Sequence, residues 1–120
     1  MQNAIILFAH GSRDADWAQP VERIGDELRS AGIRVELAFL EFMQPTLDDA
    51  AARLAAESVK RITVVPVFLA QGGHLKRELP ELVKRVGDRH LGTTFSVTPP
   101  LGDAPEVIAA IAAWIRRVAS

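Results

Sequence analysis

The chain alternates between short apolar runs and longer segments in which apolar residues recur every three or four positions. Short runs of the first kind predict strands, and the second pattern predicts amphipathic helices. The predicted strands are residues 4–9, 33–40, 61–69 and 94–98. The third run is almost continuously apolar, so we expect it to be covered on both faces of a sheet.

A helical segment follows each predicted strand. The first three cover residues 14–31, residues 45–58 and a stretch that begins near Leu75, where Pro80 should break or restart the helix because it lacks an N–H group. Apolar residues mark the last helix: Ile108, Ile111, Ala112, Ile115 and Val118. Strands that alternate with helices predict a single α/β domain over residues 1–120. Its three layers would be a four-stranded, mostly parallel sheet with helices on both faces, similar to half of a flavodoxin-like fold.

Composition excludes several classes of partner and site. The 120 residues are 48% hydrophobic and 24% charged, with 14 Lys+Arg against 15 Asp+Glu, so no basic excess exists for nucleic acid. Cysteine is absent, so a metal site must use nitrogen and oxygen ligands. The apolar runs are too short for a bilayer, and the first residues lead directly into a strand, so we expect a cytoplasmic protein with no membrane partner.

Three residues that can bind a metal follow three different predicted strands. His10 follows the first strand, Glu41 the second, and His74 comes shortly after the third. The carboxyl ends of parallel strands lie along one edge of the sheet, where ligand crevices form. Two imidazoles and a carboxylate at that edge suit a divalent transition metal. His90, in contrast, lies at a predicted helix end and is interpreted as structural or exposed.

Residues next to this trio are candidates for substrate contact. Ser12 and Arg13 lie at the start of the first helix, where an anion can bind, and Asp14 is interpreted as a helix cap. The Gly-Gly pair before His74 leaves a surface without side chains, over which a flat ligand can lie. The predicted substrate-binding residues are Ser12, Arg13, Gln71, Gly72, Gly73, Phe42 and Met43. Phe68 is assigned to the core.

Several stretches together resemble a known family. They are Ala-His-Gly-Ser-Arg-Asp at 9–14, Phe-Leu-Glu at 39–41, Gln-Pro-Thr-Leu at 44–47, residues 65–74 with Leu79-Pro80, and Pro-Leu-Gly at 100–102. In their order and spacing they resemble the small sirohydrochlorin chelatases of cobalamin and sirohaem synthesis, and the resemblance covers nearly the whole chain.

The resemblance implies an enzyme that inserts a metal into a tetrapyrrole without nucleotide hydrolysis. His10 and His74 would bind the metal and assist deprotonation, with Glu41 as the accompanying carboxylate. The metal would be Co²⁺, or Fe²⁺ or Ni²⁺ as in some relatives, and would act as a co-substrate, with no permanently bound cofactor. One four-stranded sheet offers a flat macrocycle only one wall, so we also expect a homodimer with the cleft at or near its interface.

Two other interpretations remain open from the residues. Phosphocarrier domains of the mannose-type sugar phosphotransferase system are also small α/β units with a phosphorylated histidine in a His-Gly pair, as at His10. Phosphohistidine phosphatases carry an arginine before that histidine, where this chain has Ala9. A metal-binding module without catalysis is the second alternative.

Overall fold

A parallel sheet organises residues 2–120, the part of the chain that the computed structural model describes. Its strands are β1 (Asn3–Ala9), β2 (Val35–Phe39), β3 (Arg61–Pro66) and β4 (Thr94–Val97). They pair in the order β2-β1-β3-β4, and every pairing is parallel. The predicted α/β class is confirmed, and the sheet is parallel throughout.

Four helices connect and follow the strands. They are α1 (Gln19–Ser30), α2 (Leu47–Ala56), α3 (Gly73–Asp88) and α4 (Pro105–Ala119). Short 3-10 turns, Ala15–Ala18 and Leu101–Asp103, precede α1 and α4. The start of α2 is fixed by a capping box, in which the Thr46 hydroxyl accepts from the Asp49 amide at 3.2 Å.

One face of the sheet is covered by α2 and α3. The chain moves from β2 to β3 and from β3 to β4 in the same direction across the sheet, so right-handed crossovers place both helices on the same face. The larger core lies here, and its fully buried side chains include Ile6, Phe8, Leu54, Ile62, Val64 and Leu79.

The other face is covered by α1 alone. The return from β1 to β2 runs in the opposite direction, so α1 lies over that half of the sheet, with Val21, Val35 and Phe39 buried beneath it. On β3, Thr63 and Val65 of this face are only half-buried. The expectation that this strand is covered on both faces was therefore wrong, because no helix of the described chain covers its second face.

Pro80 does not interrupt α3, contrary to the sequence-based expectation. The helix runs unbroken from Gly73 to Asp88, with Pro80 inside it. Leu79 and Val83 are buried on the sheet side, whereas Pro80 is exposed. Burial of the apolar stripe stabilises the helix. Because Pro80 has no N–H group, the backbone carbonyl of Lys76 receives no hydrogen bond from it, but Lys76 is exposed and water can bind this carbonyl.

The last helix forms where its apolar spacing predicted, but α4 has no buried residue. Its apolar side chains are exposed, among them Ile108 at 49%, Ile115 at 52% and Val118 at 66%. Within residues 2–120, none of the helices combines the length and the apolar character that crossing a membrane requires.

Candidate functional site

Strand order brings His10 and Glu41 to neighbouring positions along one edge of the sheet, and the chain after β3 leads to His74. Strand β1 lies between β2 and β3, and the register pairs Ala9 with Phe39 and Phe8 with Pro66. His10 follows β1, Glu41 follows β2, and His74 lies in the first turn of α3, which follows β3. The segments that carry Glu41, His10 and His74 therefore leave three neighbouring strands in that order.

The backbones of His10 and Glu41 are joined directly. The Leu40 amide donates to the Ala9 carbonyl at 2.9 Å, and the Glu41 amide donates to the His10 carbonyl at 3.1 Å. Gly11 has a φ of +92°, and a Cβ atom there would lie 1.9 Å from the Glu41 carbonyl oxygen. Only glycine therefore permits this approach of the two loops.

The His10 ring lies against Phe68. Their ring centroids are 5.1 Å apart at an interplanar angle of 52°, and Phe68 packs edge-on against Phe8 at 6.3 Å. Phe68 is only 8% exposed, whereas His10 is exposed. Phe68 is thus a core residue, as expected, and also a support for the His10 ring, a role that the sequence interpretation missed.

His74 has an acidic neighbour that the sequence interpretation also missed. Its Nε2 atom lies 3.0 Å from Oε1 of Glu78, one helical turn further along α3. Both side chains are largely exposed, at 81% and 57%. The signal was the i,i+4 spacing, which becomes visible only when the helix begins at Gly73 rather than near Leu75.

Arg13 and Phe42 form a contact beside Glu41. The Arg13 guanidinium carbon lies 4.7 Å from the centroid of the Phe42 ring, a cation–π distance. Phe42 has a φ of +68° and is 57% exposed. A bulky residue in the left-handed region costs on the order of 1–3 kcal/mol. The loop after β2 therefore holds an aromatic ring at the surface in a strained conformation.

The loop after His10 is ordered by its own side chains. The Ser12 hydroxyl accepts from the Asp14 amide at 3.0 Å, and the Asp14 carboxylate accepts from the Asp16 amide at 3.0 Å. Asp14 thus caps the first 3-10 turn, in agreement with its interpretation as a cap. Met43 is half-buried and packs against the core under α1, so its contribution to an open ligand surface is partial.

A cavity of about 340 Å³ adjoins the start of α3. Gln71 and Lys76 line it on one side, and the segment from Val97 to Pro100 lines the other. Gly72 next to it is exposed, with nothing within 4 Å of a Cβ atom built there. The lining also includes Asp103, so this part of the molecule combines a bare backbone surface with one cation and one carboxylate.

The trio does not form a closed metal cage. Within residues 2–120, no group of three His, Cys, Asp or Glu side chains is arranged to hold a metal ion by itself. His10 and Glu41 are neighbours at the edge of the sheet, whereas a site that includes His74 and coordination by all three stay predictions. A metal held here would keep open positions for water or another ligand.

Known proteins match the chain over nearly its whole length. The CbiX family model matches residues 4–118. The sirohydrochlorin cobaltochelatase of Methanopyrus kandleri is 40% identical over 82 residues, which are 67% of this chain and 57% of that protein. The matched stretch thus spans little more than half of that relative.

Two solved structures share the fold. The CbiX protein from Marinobacter aquaeolei VT8 has a TM-score of 0.87 and 32% identity, and the match covers 98% of this chain and 94% of that one. The sirohydrochlorin chelatase SirB from Bacillus subtilis subspecies spizizenii, in complex with cobalt, has a TM-score of 0.80 and 26% identity. That match covers 98% of this chain but 51% of SirB. These matches confirm the resemblance that the sequence motifs indicated.

Proposed function

The chain belongs to the CbiX family, and we propose on that basis that it inserts a divalent metal ion into sirohydrochlorin without hydrolysing a nucleotide. The observation that carries the proposal is the strand order: β1 lies between β2 and β3, and Glu41, His10 and His74 follow β2, β1 and β3 in the chain. Each of these residue types binds divalent transition metals, and each can also accept a proton.

The reaction requires both properties of these side chains. Inserting M²⁺ into the macrocycle removes water from the metal and releases two pyrrole N–H protons, so the charge of the ion is balanced by two protons lost. In the proposal, His10 and His74 bind the incoming ion and take up those protons. Glu41 offsets the charge of the cation and passes protons to solvent.

A site with few protein ligands suits a metal ion that must be transferred to the macrocycle. Metal sites that react keep open positions, whereas a closed set of protein ligands retains the ion. His10 rests on Phe68 and stands exposed, and His74 is exposed on α3. Two imidazoles with one nearby carboxylate would hold the ion only until the pyrrole nitrogens replace them.

The proposed metal is Co²⁺, with Fe²⁺ and Ni²⁺ as alternatives. The Methanopyrus relative is named a cobaltochelatase, and the SirB structure contains cobalt. Nitrogen and oxygen ligands follow a general affinity order among first-row metals, so the protein itself discriminates weakly. The metal is a co-substrate in this proposal, and no permanent cofactor is required.

The substrate would lie against the bare surface near His74. Gly72 and Gly73 leave room for a flat ring, with Gln71 beside them, and Phe42 offers an aromatic surface on the other side of His10. Arg13 and Ser12 would bind acidic substituents of the macrocycle at one end. Lys76, in the cavity next to Gln71, supplies a further cation at the other end.

A second copy of the chain would provide the opposite wall of the cleft. The macrocycle is flat, and one sheet edge contacts it from one side only, so we propose a homodimer with the cleft at or near its interface. The proposal treats residues 1–120 as a single domain. A cytoplasmic location also stays a prediction from the sequence.

The test is an anaerobic absorbance assay with sirohydrochlorin and Co²⁺. The protein should accelerate the metal-dependent spectral change above the protein-free rate, and His10→Ala or His74→Ala should each reduce the rate at least tenfold. His90→Ala is the matched control, because His90 is the remaining histidine of the chain and lies beside Phe95, away from the edge. A folded protein that gives no acceleration rejects the proposal.

The same variants separate the alternatives. A phosphocarrier that uses His10 should still accept phosphate after His74→Ala. A metal-binding module without catalysis should bind Co²⁺ and lose it on either histidine substitution, but it should not change the spectrum of sirohydrochlorin faster than free metal does.

A further inference from the structure

We propose that Gly102 is a positioning residue for His10 and that it acts through Phe68. The proposal gives a role to the loop between β4 and α4, which contains the Pro-Leu-Gly stretch at 100–102. Its effect on catalysis rests on the proposed function, whereas the contacts on which it depends can be measured without a substrate.

Gly102 lies directly against the chain that follows β3. Its amide donates to the Phe68 carbonyl at 3.0 Å. A Cβ atom at this position would lie 1.7 Å from the carbonyl oxygen of Leu69 and 2.6 Å from its Cα atom. Cβ atoms in proteins essentially never approach other atoms closer than 3.0 Å. Only glycine therefore permits this contact between the two loops.

The close approach, and not an unusual backbone conformation, explains the glycine. Within residues 2–120, Gly11 and Gly32 are the glycines with a positive φ. Gly102 lies instead in the 3-10 turn Leu101–Asp103, a conformation that other residues adopt without strain. Replacing it by alanine therefore changes the contact with Leu69 and adds no backbone strain at residue 102 itself.

Phe68 transmits the position of this loop to His10. The Phe68 side chain is buried, with 8% exposed, and packs edge-on against Phe8. The centroid of the same ring lies 5.1 Å from that of the His10 ring. His10 is exposed, and an exposed side chain samples several rotamers unless a neighbour restricts it. A shift of the Phe68 backbone therefore changes where the His10 ring is held.

The two glycines that lie close to a carbonyl join the loops at this edge in pairs. Gly11 holds the loop after β1 against Glu41, and Gly102 holds the loop after β4 against Leu69. The contact between the imidazole and the Phe68 ring links one pair to the other. The imidazole after β1 is therefore placed by a loop that supplies none of the proposed ligands.

Gly102→Ala should reduce kcat for Co²⁺ insertion at least tenfold. To relieve the contact with Leu69, the two segments must separate by roughly 1 Å or more. A displacement of about 1 Å at a reacting group can cost about 100-fold in rate. The rate is measured anaerobically at saturating Co²⁺ and sirohydrochlorin, and circular dichroism confirms that the protein is folded.

Gly92→Ala is the matched control for an added methyl group. Gly92 has nothing within 4 Å of a Cβ atom built there, and it lies between α3 and β4, before the strand rather than after it. This substitution should leave kcat within twofold of the parent chain.

Nuclear magnetic resonance of the metal-free protein tests the contacts directly. An aromatic ring shifts the signals of protons near it, so the His10 ring protons should show a shift that Phe68→Leu removes. The parent protein should also show a nuclear Overhauser contact between the two rings, and a second one between the α protons of Gly102 and Leu69. In Gly102→Ala, the His10 signals should move towards their positions in Phe68→Leu, while those of His74 stay unchanged. A residue that only stabilised the fold would not move the His10 signals selectively.

The outcomes separate this proposal from the proposed function. Unmoved His10 signals in a folded Gly102→Ala protein overturn the proposal, and so does an unchanged kcat in a chain whose parent inserts metal. If Gly102→Ala does not fold, the absence of either Overhauser contact in the parent overturns the proposal, whereas both contacts and a kcat at least tenfold lower in Phe68→Leu support it. A parent protein that inserts no metal rejects the proposed function, and the His10 signals then decide the positioning by themselves.

Discussion

The two faces of the sheet differ in how far one chain can cover them. Under α2 and α3, side chains such as Ile6, Phe8 and Leu54 have no measurable exposure. On the other face, α1 covers β1 and β2, while β3 and β4 remain half-open. The difference follows from connectivity, because right-handed crossovers place two connecting helices on one face and one on the other.

This contrast has a consequence for the candidate site. His74 stands on α3, and His10 rests on Phe68, which belongs to the core of the covered face. Both imidazoles are therefore supported by the part of the molecule that a single chain completes. The half-open face contributes no residue to this support, so substitutions there should change stability without moving either imidazole.

The largest expected effect is a cavity in the covered face. Leu54→Ala removes a fully buried side chain from α2 and should lower the free energy of unfolding by about 2–5 kcal/mol. Val65→Ala on the open face should cost only about 1 kcal/mol, because the side chain is half-buried and less apolar area returns to water on unfolding. Urea unfolding measures both costs. Equal costs would remove the distinction between the faces.

A smaller effect is expected at the edge where the two faces meet. Gly11→Ala should lower stability by at least about 2 kcal/mol and reduce metal insertion, because the new Cβ would strike the Glu41 carbonyl and the backbone is in the left-handed region. Gly32→Ala is the matched control, since Gly32 has a φ of +84° with nothing within 4 Å of the added atom. The difference between the losses of unfolding free energy in Gly11→Ala and Gly32→Ala measures the contact with Glu41. No difference would mean that the loops after β1 and β2 can separate freely.

A third substitution tests the support that α3 gives to His74. Glu78→Gln should lower the rate of Co²⁺ insertion at subsaturating metal by about tenfold, because a carboxylate partner fixes the orientation of a ligating imidazole. Glu81→Gln changes another exposed glutamate of the same helix and should leave the rate within twofold. Raising the metal concentration should restore the rate of the Glu78→Gln protein. Failure of metal to rescue it would assign Glu78 another role.

The sequence predicted most of this architecture, and its failures have specific causes. Apolar periodicity located the strands and helices, and the positions of His10 and Glu41 just after two strands predicted that they lie side by side. The pattern located α4 but could not reveal which surface its apolar stripe contacts, and the helix has no buried residue. The pattern also could not show that burial of Leu79 and Val83 outweighs the effect of Pro80.

Glu78 was missed for a related reason. With the helix expected to begin near Leu75, His74 was assigned to a loop. In a loop, a separation of four residues does not bring His74 and Glu78 together. The structure begins α3 at Gly73, with Gly72 as the residue before the first turn. Glycine has no side chain that can accept a hydrogen bond from the first amides of a helix. The Ser, Thr, Asp or Asn that usually indicates a helix start was therefore lacking.

The smallest effect should come from an exposed ion pair at the rim of the covered face. Arg34, just before β2, donates to Glu57, just after α2, at 2.6 Å, and also to Glu36 at 2.7 Å. The hydrogen bond from Arg34 holds the pKa of Glu57 below its usual value of 4.5. Because the folded-state pKa is lowered, the pair stabilises the fold above that usual value and the stabilisation is lost as the pH falls through the lowered pKa.

Glu57→Gln should therefore reduce the urea midpoint slightly at pH 7, and the difference from the parent chain should shrink as the pH falls below about 4.5. Glu27→Gln, at an exposed position on α1, is the control for loss of one negative charge. A difference that grows on acidification has the wrong sign for a lowered pKa. It would show that the pair does not join β2 to α2 in solution, so the covered face would owe its stability to apolar packing alone.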